Sequence, residues 1–296
     1  MKVSDKMKIL VTGSRGQLGS ELRIVLEQRV PGITTYIDKD ELDLTDVIAV
    51  EQFLRAGGFS HVINCAAYTA VDLAEEEKLQ CSAVNIDAVG NIARFADELD
   101  MRIVHISTDY VFDGTAHTPY VESDKPNPMS QYGATKRKGE TALLGLAPQS
   151  IVVRTGWLYS PFGKNFVKTM VDLASQGKKL RVVVDQIGTP TYAADLAEAI
   201  AAIVLQGPWT PGIFHYSNEG AASWYDLAVA AIEAAGMAEQ AKLVEPISTA
   251  DYPTAAMRPP YAILSKTKIK ATFGLHIPHW YSSLRRCVSR LQSSKI

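Results

Sequence analysis

The chain has 296 residues, 47% of them apolar and 21% charged, with a formal charge of −2. That length holds one large domain or two smaller ones with real cores, and the composition is that of an ordinary soluble globular protein. The near-zero charge excludes a global basic footprint, so the expected partners are small molecules, not nucleic acid or membrane, and any anion must be held by local donors.

In chain order, Met1 to Lys6 reads as a short disordered lead-in without the apolar core of a signal peptide. The three cysteines, Cys65, Cys81 and Cys287, are far apart and odd in number. They suit neither a disulfide framework nor a metal site, and a reducing, cytoplasmic setting is expected. Lys8 to Thr12 is a short β run, followed by glycines at 13, 16 and 19 and then an amphipathic helix from Gln17 to Leu26. A strand at 33–37 and a helix from Val47 to Arg55 follow, with Thr45 as the expected N-cap. The apolar run His61 to Cys65 is a strand, and 75–99 carries mostly helical signals. Arg102 to Ser107 and Ile151 to Arg154 are further strands. The alternation predicts an α/β fold, a Rossmann-type doubly wound parallel sheet with a smaller mixed α/β substrate lobe.

The second half is more mixed. It offers a strand at Leu180–Val184, a helix at Ala193–Leu205, a strand at 212–216 and a helix from Ser223 to Ala235 with Ser223 as N-cap. The proline-rich run TADYPTAAMRPP, 249–260, is too long for a simple turn. The expected division is a dinucleotide-binding domain at 7–157, rejoined by about 181–210, and a substrate lobe from 158–180 and 211–296.

Three groups of residues carry the chemistry. The first is the strand–glycine–helix junction, in which Gly13, Gly16 and Gly19 let the backbone approach a pyrophosphate at a helix N-terminus. Asp38 lies at the end of the second strand, where an acid can hold a ribose hydroxyl. It also reads as a surface acid in a polar run. Arg15 and Lys39 could instead receive a 2′-phosphate, so NADH and NADPH both stay open. Asp43 and Leu44 would flank an adenine, and Ala66, Ala67 and Tyr68 would line the cofactor cleft. The second group is Tyr132-x-x-x-Lys136, one face of a helix. A lysine there lowers the phenol pKa and makes the tyrosine a proton donor near neutrality. Ser107 and Thr108 end a strand where a hydroxyl can hold a substrate oxygen. The third group is Trp157 as a flat face for a sugar, Asn165 at a helix start, and Arg258 as a bidentate partner for a diphosphate. Trp157 as core and Arg258 as a surface ion pair are the plainer alternatives. His105 reads as a satisfied core histidine rather than a base. Cys65, Trp224 and Trp280 read as packing.

The stretches VTGSRGQLGSEL, LDLTD, INCAAYTAVDLAE, STDYVFDG, YGATKRKGE, VRTGWLY, DQIGTPTYAADLA and RPPYAILSK resemble, in order and wording, the extended short-chain dehydrogenase/reductases. The likeness runs from Met7 to about Trp280 and is nearest to the branch that reduces 4-keto nucleotide sugars. It implies an NADPH- or NADH-dependent oxidoreductase with Tyr132 as proton donor, Lys136 as its partner and Thr108 as the oxygen-holding hydroxyl. It implies cofactor contacts at Gly16, Gln17, Leu18, Asp43, Leu44, Ala67, Tyr68 and Thr69, and sugar or nucleotide contacts at Val71, Thr108, Asp109 and Trp157. Members that dehydrate nucleotide sugars follow the Thr-Asp pair with Glu; here Tyr110 follows, which argues against dehydration. Some members bind a metal near a dimer interface. Glu21 is a counterpart of one ligand, but the rest of the set has no counterpart, so no metal is expected, and a homodimer stays open. The rivals are an epimerase or dehydratase and a non-catalytic subunit of the kind that regulates methionine adenosyltransferase.

Overall fold

The computed structural model describes residues 7–206 and 208–293, so the lead-in expected at 1–6 lies outside the described residues. Five strands, β1 (Ile9–Thr12), β2 (Thr34–Ile37), β3 (His61–Asn64), β4 (Arg102–Thr108) and β5 (Ile151–Thr155), belong to one sheet. Short strands follow at β6 (Leu158–Tyr159), β7 (Leu180–Val183), β8 (Ile187–Gly188) and β9 (Thr191–Tyr192). After them come β10 (Gly212–His215), β11 (Ala222–Ser223) and β12 (Val244–Ile247). The main sheet is parallel throughout, in the order β10-β5-β4-β3-β1-β2. The order reverses at β1, whose neighbours β2 and β3 both follow it in the chain. This leaves a crevice beyond the strand ends, where ligands of such sheets bind.

Period-2 alternation sends strand residues to two cores. Ile9, Val11, Ile151 and Val153 face one layer, under helices α1 (Gln17–Arg29) and, with Leu196 and Ile200, a later helix at Ala193–Gln206. Leu10, Val62, Ile103 and Val152 face the other, under α2 (Val47–Gly57), and helices at Ala88–Arg94 and Gln131–Leu146. Burial on both faces is why these strands read as continuous apolar runs.

The remaining helices, in chain order, are α3 (Lys78–Ser82), α4 (Ala88–Arg94), α5 (Gln131–Leu146), α6 (Phe166–Ser175), α7 (Ala193–Gln206), α8 (Trp224–Ala234), α9 (Ala238–Ala241), α10 (Thr267–Phe273) and α11 (Trp280–Ser293). The second lobe packs α6, α8 and α11 around Tyr159, Val167, Leu227, Leu284 and Val288, beside the small β7–β12 sheet. Two boundaries differ from expectation. β10 lies in 211–296 but is the edge strand of the main sheet, because its backbone pairs with β5. β7, at 180–183, pairs with β12 instead of returning to the main sheet.

Caps explain other local differences. The N-cap of α2 is Asp46, which accepts from the amides of Ile48 and Ala49. Thr45 lies one residue earlier, with its hydroxyl turned to Asp43 at 2.7 Å, and does not cap the helix. Ser223 caps α8 with a full capping box. The segment 75–99 is not one helix: α3 is followed by a π turn at Ala83–Asp87 and then α4. Among the described residues no helix is long and apolar enough to cross a membrane.

Candidate active site

The crevice opens into a cleft of about 1170 Å³. That exceeds the ~300–1,000 Å³ usual for one drug-sized ligand. Its floor is the junction of β1 with α1. Gly13 has φ +62°, and a Cβ there would lie 2.7 Å from the Ala66 nitrogen. A Cβ at Gly19 would lie 2.4 Å from the Gly13 carbonyl oxygen. Both glycines are therefore required by close backbone approach. Gly16 begins α1 with no side-chain cap, so the positive end of a 13-residue helix faces the cleft. A pyrophosphate fits this cradle.

Every cofactor position expected from the sequence lies on the cleft wall: Gly13, Arg15, Gly16, Gln17, Leu18, Asp38, Lys39, Asp43, Leu44, Ala66, Ala67, Tyr68 and Thr69. Asp38 accepts from the amides of Arg15 at 3.0 Å and Lys39 at 2.9 Å, so it also shapes the glycine turn. The Arg15 guanidinium is held by Asp40 at 2.5 Å and by Glu41.

Sequence reasoning missed Asn85. From the π turn its side chain bonds both the amide and the carbonyl of Tyr68, at 2.9 and 3.1 Å, and the Thr135 hydroxyl at 3.2 Å. It fixes the loop after β3 to α5. The only signal was a polar residue in an otherwise helical stretch, and π turns concentrate at functional sites.

The side chains of Thr108, Tyr132 and Lys136 converge from β4 and α5. Ser130 caps α5 by accepting from the Gly133 amide. A Cβ at Gly133 would lie 2.2 Å from the Tyr110 carbonyl oxygen, so only glycine lets the first turn of α5 seat here. That turn carries Tyr132, and Lys136 follows one turn on. Thr108 and Lys136 are buried, and Tyr132 is half-buried with its ring edge-on to Tyr110 at 5.6 Å.

The expected lowering of the Tyr132 pKa is not found. Burial pushes the phenol up to about 12, and a hydrogen bond with Thr108 opposes this only in part. The reason is where Lys136 points: its Nζ donates to the Ile106 carbonyl at 2.7 Å and meets His105 Nε2 at 3.3 Å. Burial in turn lowers the Lys136 pKa to about 8. Tyr132 is thus protonated at neutral pH, the state a proton donor needs.

At the other end, Val71, Asp109, Trp157 and Asn165 line the cleft. Asp109 accepts from the Thr108 hydroxyl at 3.1 Å, and burial pushes its carboxyl up to about 7. Trp157 adopts φ +50°, a strained conformation for a bulky residue, and stacks on Trp224 at 3.7 Å. One indole face is therefore already covered. Asn165 caps α6 and donates to Gln17 at 3.0 Å and to the Ser160 carbonyl at 2.7 Å, so its amide ties α6 to α1. Arg258 is not on the cleft wall. Its guanidinium grips Asp72 at 2.6 and 3.1 Å, the ion pair of the plainer reading. Cys65 is half-buried: it packs against the core under α1, as the packing reading expects, and also lines the cleft. Glu21 is buried and held by Arg290 at 2.9 Å and Ser160 at 3.2 Å. Among the described residues no group of three or more His, Cys, Asp or Glu is arranged to hold a metal.

Residues 7–293 match the family described as RmlD substrate binding domain. The chain is 40% identical over 285 residues to dTDP-4-dehydrorhamnose reductase of Aggregatibacter actinomycetemcomitans, covering 94% of this chain and 97% of that protein. It is 35% identical over 287 residues to dTDP-4-keto-6-deoxy-D-glucose reductase of Streptomyces niveus, covering 97% and 98%. The crystal structure of dTDP-4-dehydrorhamnose reductase from Bacillus anthracis in complex with NADP superposes with a TM-score of 0.91 at 36% identity, covering 96% of this chain and 99% of that one. With a match that spans nearly every described residue, the chain belongs to the dTDP-4-dehydrorhamnose reductase family of extended short-chain dehydrogenases/reductases.

Proposed function

We propose that the protein is an NAD(P)H-dependent reductase that converts the C4 keto group of dTDP-4-dehydro-L-rhamnose to the hydroxyl of dTDP-L-rhamnose. The observation that carries this reading is the convergence of Thr108, Tyr132 and Lys136 on one cleft with the glycine turn. The sugar and the cofactor follow from the named relatives.

The reduced nicotinamide supplies the hydride that C4 accepts. Gly13, Gly16, Gln17 and Leu18 hold the pyrophosphate at the helix end, with Arg15 beside them. Asp38 and Lys39 face the adenosine ribose, and Asp43 and Leu44 the adenine. Ala66, Ala67, Tyr68 and Thr69 support the remainder. Thr108 bonds the carbonyl oxygen, and Tyr132 gives its proton to that oxygen as charge develops. Lys136 swings from the Ile106 carbonyl to a ribose hydroxyl. Val71, Asp109 and Trp157 face the sugar, and Asn165 keeps the wall beside them in place. Arg258 reaches the diphosphate only by leaving Asp72. The enzyme works in the cytoplasm, and light scattering tests a homodimer.

The test is absorbance at the reduced-nicotinamide band, with the keto sugar generated in place and NADH and NADPH supplied separately. Stoichiometric oxidation is expected, falling by roughly 10²–10⁴ in kcat for Tyr132→Phe. Cofactor binding without oxidation would overturn the reading. A Tyr132→Phe variant retaining more than about a tenth of the rate would remove Tyr132 as donor.

A further inference from the structure

Lys136 touches a buried chain of side chains that the reaction above does not use. The chain runs from β1 through β3 to β4. The Thr12 hydroxyl donates to Asn64 Oδ1 at 2.7 Å, Asn64 Nδ2 meets His105 Nδ1 at 3.1 Å, and His105 Nε2 meets Lys136 Nζ at 3.3 Å. Thr12, Asn64, His105 and Lys136 are all buried.

The proton positions follow from one main-chain donor. The Ala66 amide donates to Asn64 Oδ1 at 3.2 Å, and a backbone N–H has no alternative role. That bond, together with the one from Thr12, fixes which end of the Asn64 amide faces His105. Asn64 therefore presents N–H, and His105 Nδ1 accepts it. Burial holds the imidazole neutral, well below its ordinary pKa. A neutral imidazole carries one N–H, which must then sit on Nε2. That N–H points at Lys136. An ammonium there would set donor against donor, whereas a neutral amine can accept from His105 and still donate to the Ile106 carbonyl.

We propose that His105, locked by Asn64 with its proton on Nε2, is a positioning residue that aims the Lys136 amine and weakens its hold on its third proton. Within the reductase reading, on which this consequence rests, the gain comes after Tyr132 has given its proton to the substrate oxygen. Once it has swung away from the Ile106 carbonyl, Lys136 in its ammonium form gives its third proton to the tyrosinate, is left a neutral amine and regains a proton from solvent, and His105 keeps its own throughout. The lowered Lys136 pKa agrees with this arrangement. The other ionisable groups acting on Lys136 are Glu140 on α5, Cys65 after β3 and Cys81 on α3, and all three favour the ammonium. Burial opposes them and outweighs them.

The test uses the full chain without cofactor or substrate, so it does not depend on activity. Nitrogen NMR of protein labelled in histidine, with the His105 signals identified by their absence in a variant, reports the tautomer. A protonated Nε2 and bare Nδ1 are expected from pH 6 to 9. A protonated Nδ1 would overturn the inference. Carbon NMR of the lysine ε-carbons, with Lys136 identified through Lys136→Arg, then gives its titration in two variants. His105→Asn keeps an acceptor near Asn64 but removes the N–H toward Lys136, and should raise the Lys136 pKa by about one unit. His105→Gln restores a donor at the Nε2 position and should leave the pKa near that of the parent. Equal titration in the parent and both variants would overturn the inference. If a variant fails to fold, the tautomer in the parent decides. Failure of the reductase reading would show separately, as absence of cofactor oxidation with these spectra unchanged.

Discussion

The two ends of the cleft are built from different materials. At the cofactor end the surface is main chain: Gly13 and Gly19 bring backbone against backbone, and α1 offers its uncapped amides. At the end proposed for the sugar it is side chain: Trp157 stacked on Trp224 and Asp109 buried under Thr108, with the Arg258–Asp72 pair off the wall itself. A backbone site has one geometry and tolerates little. A side-chain site can be retuned residue by residue, and relatives named for two different keto sugars keep 35% and 40% identity to this chain. The contrast predicts that damage at the first end is steric and damage at the second electrostatic.

The largest electrostatic effect should come from Asp109. Its carboxyl is buried and pushed up to about 7 from an ordinary 3.8. Between those values the native state holds a proton that the unfolded chain has released. The stability this confers is complete below about pH 4 and is lost as pH rises through about 7, on the order of a few kcal/mol. Urea unfolding at pH 5 and pH 8 should show that fall in the parent and much less of it in Asp109→Asn. An equal fall in both would place the titrating group elsewhere and weaken the picture of a dry sugar end. A Cβ at Gly156 would lie 2.2 Å from Asp109 Oδ2, so Gly156 is what leaves room for this carboxyl.

At the cofactor end, Gly19→Ala drives a methyl against the Gly13 carbonyl oxygen, which is backbone and cannot rotate away. A loss of about 1–3 kcal/mol in stability is expected. The cofactor Kd should rise about tenfold, the equivalent of 1.4 kcal/mol, because the turn that meets the pyrophosphate has to shift. Denaturation and cofactor titration measure the two. A variant with native stability and unchanged Kd would mean that the glycine turn is loose, and the contrast between the ends would fail.

The same contrast explains what the sequence made legible. Apolar runs broken by helical periods specify a parallel sheet because both faces of each strand are buried, and the glycines of the turn are forced by contacts close along the chain. The sequence pattern places Gly212–His215 in the second lobe, whereas its partner is β5, because pairing across 61 residues leaves no local mark. The raised pKa of Tyr132 is hidden from the sequence in the same way. Helical spacing puts Lys136 on the right face, but the Ile106 carbonyl and His105, which capture its Nζ, come from β4. Asn85 acts only because a π turn alters the helical phase.

The smallest effect separates the two readings of Arg258. It meets Asp72 across 186 residues, with side chains 22% and 45% exposed, so the pair contributes at most about 1 kcal/mol. If the pair is only a strap, Arg258→Ala and Asp72→Ala should lower Tm equally and slightly, and neither should move KM for the nucleotide sugar. If Arg258 leaves Asp72 to hold the diphosphate, the variants must diverge. Arg258→Ala then removes a charge-assisted contact worth about 1.5–3 kcal/mol and raises KM about tenfold or more, whereas Asp72→Ala frees the guanidinium and leaves KM equal or lower. A charge that trades one anion for another gains only the difference between them, so the sign of the Asp72→Ala effect on KM decides the assignment even where its size is small.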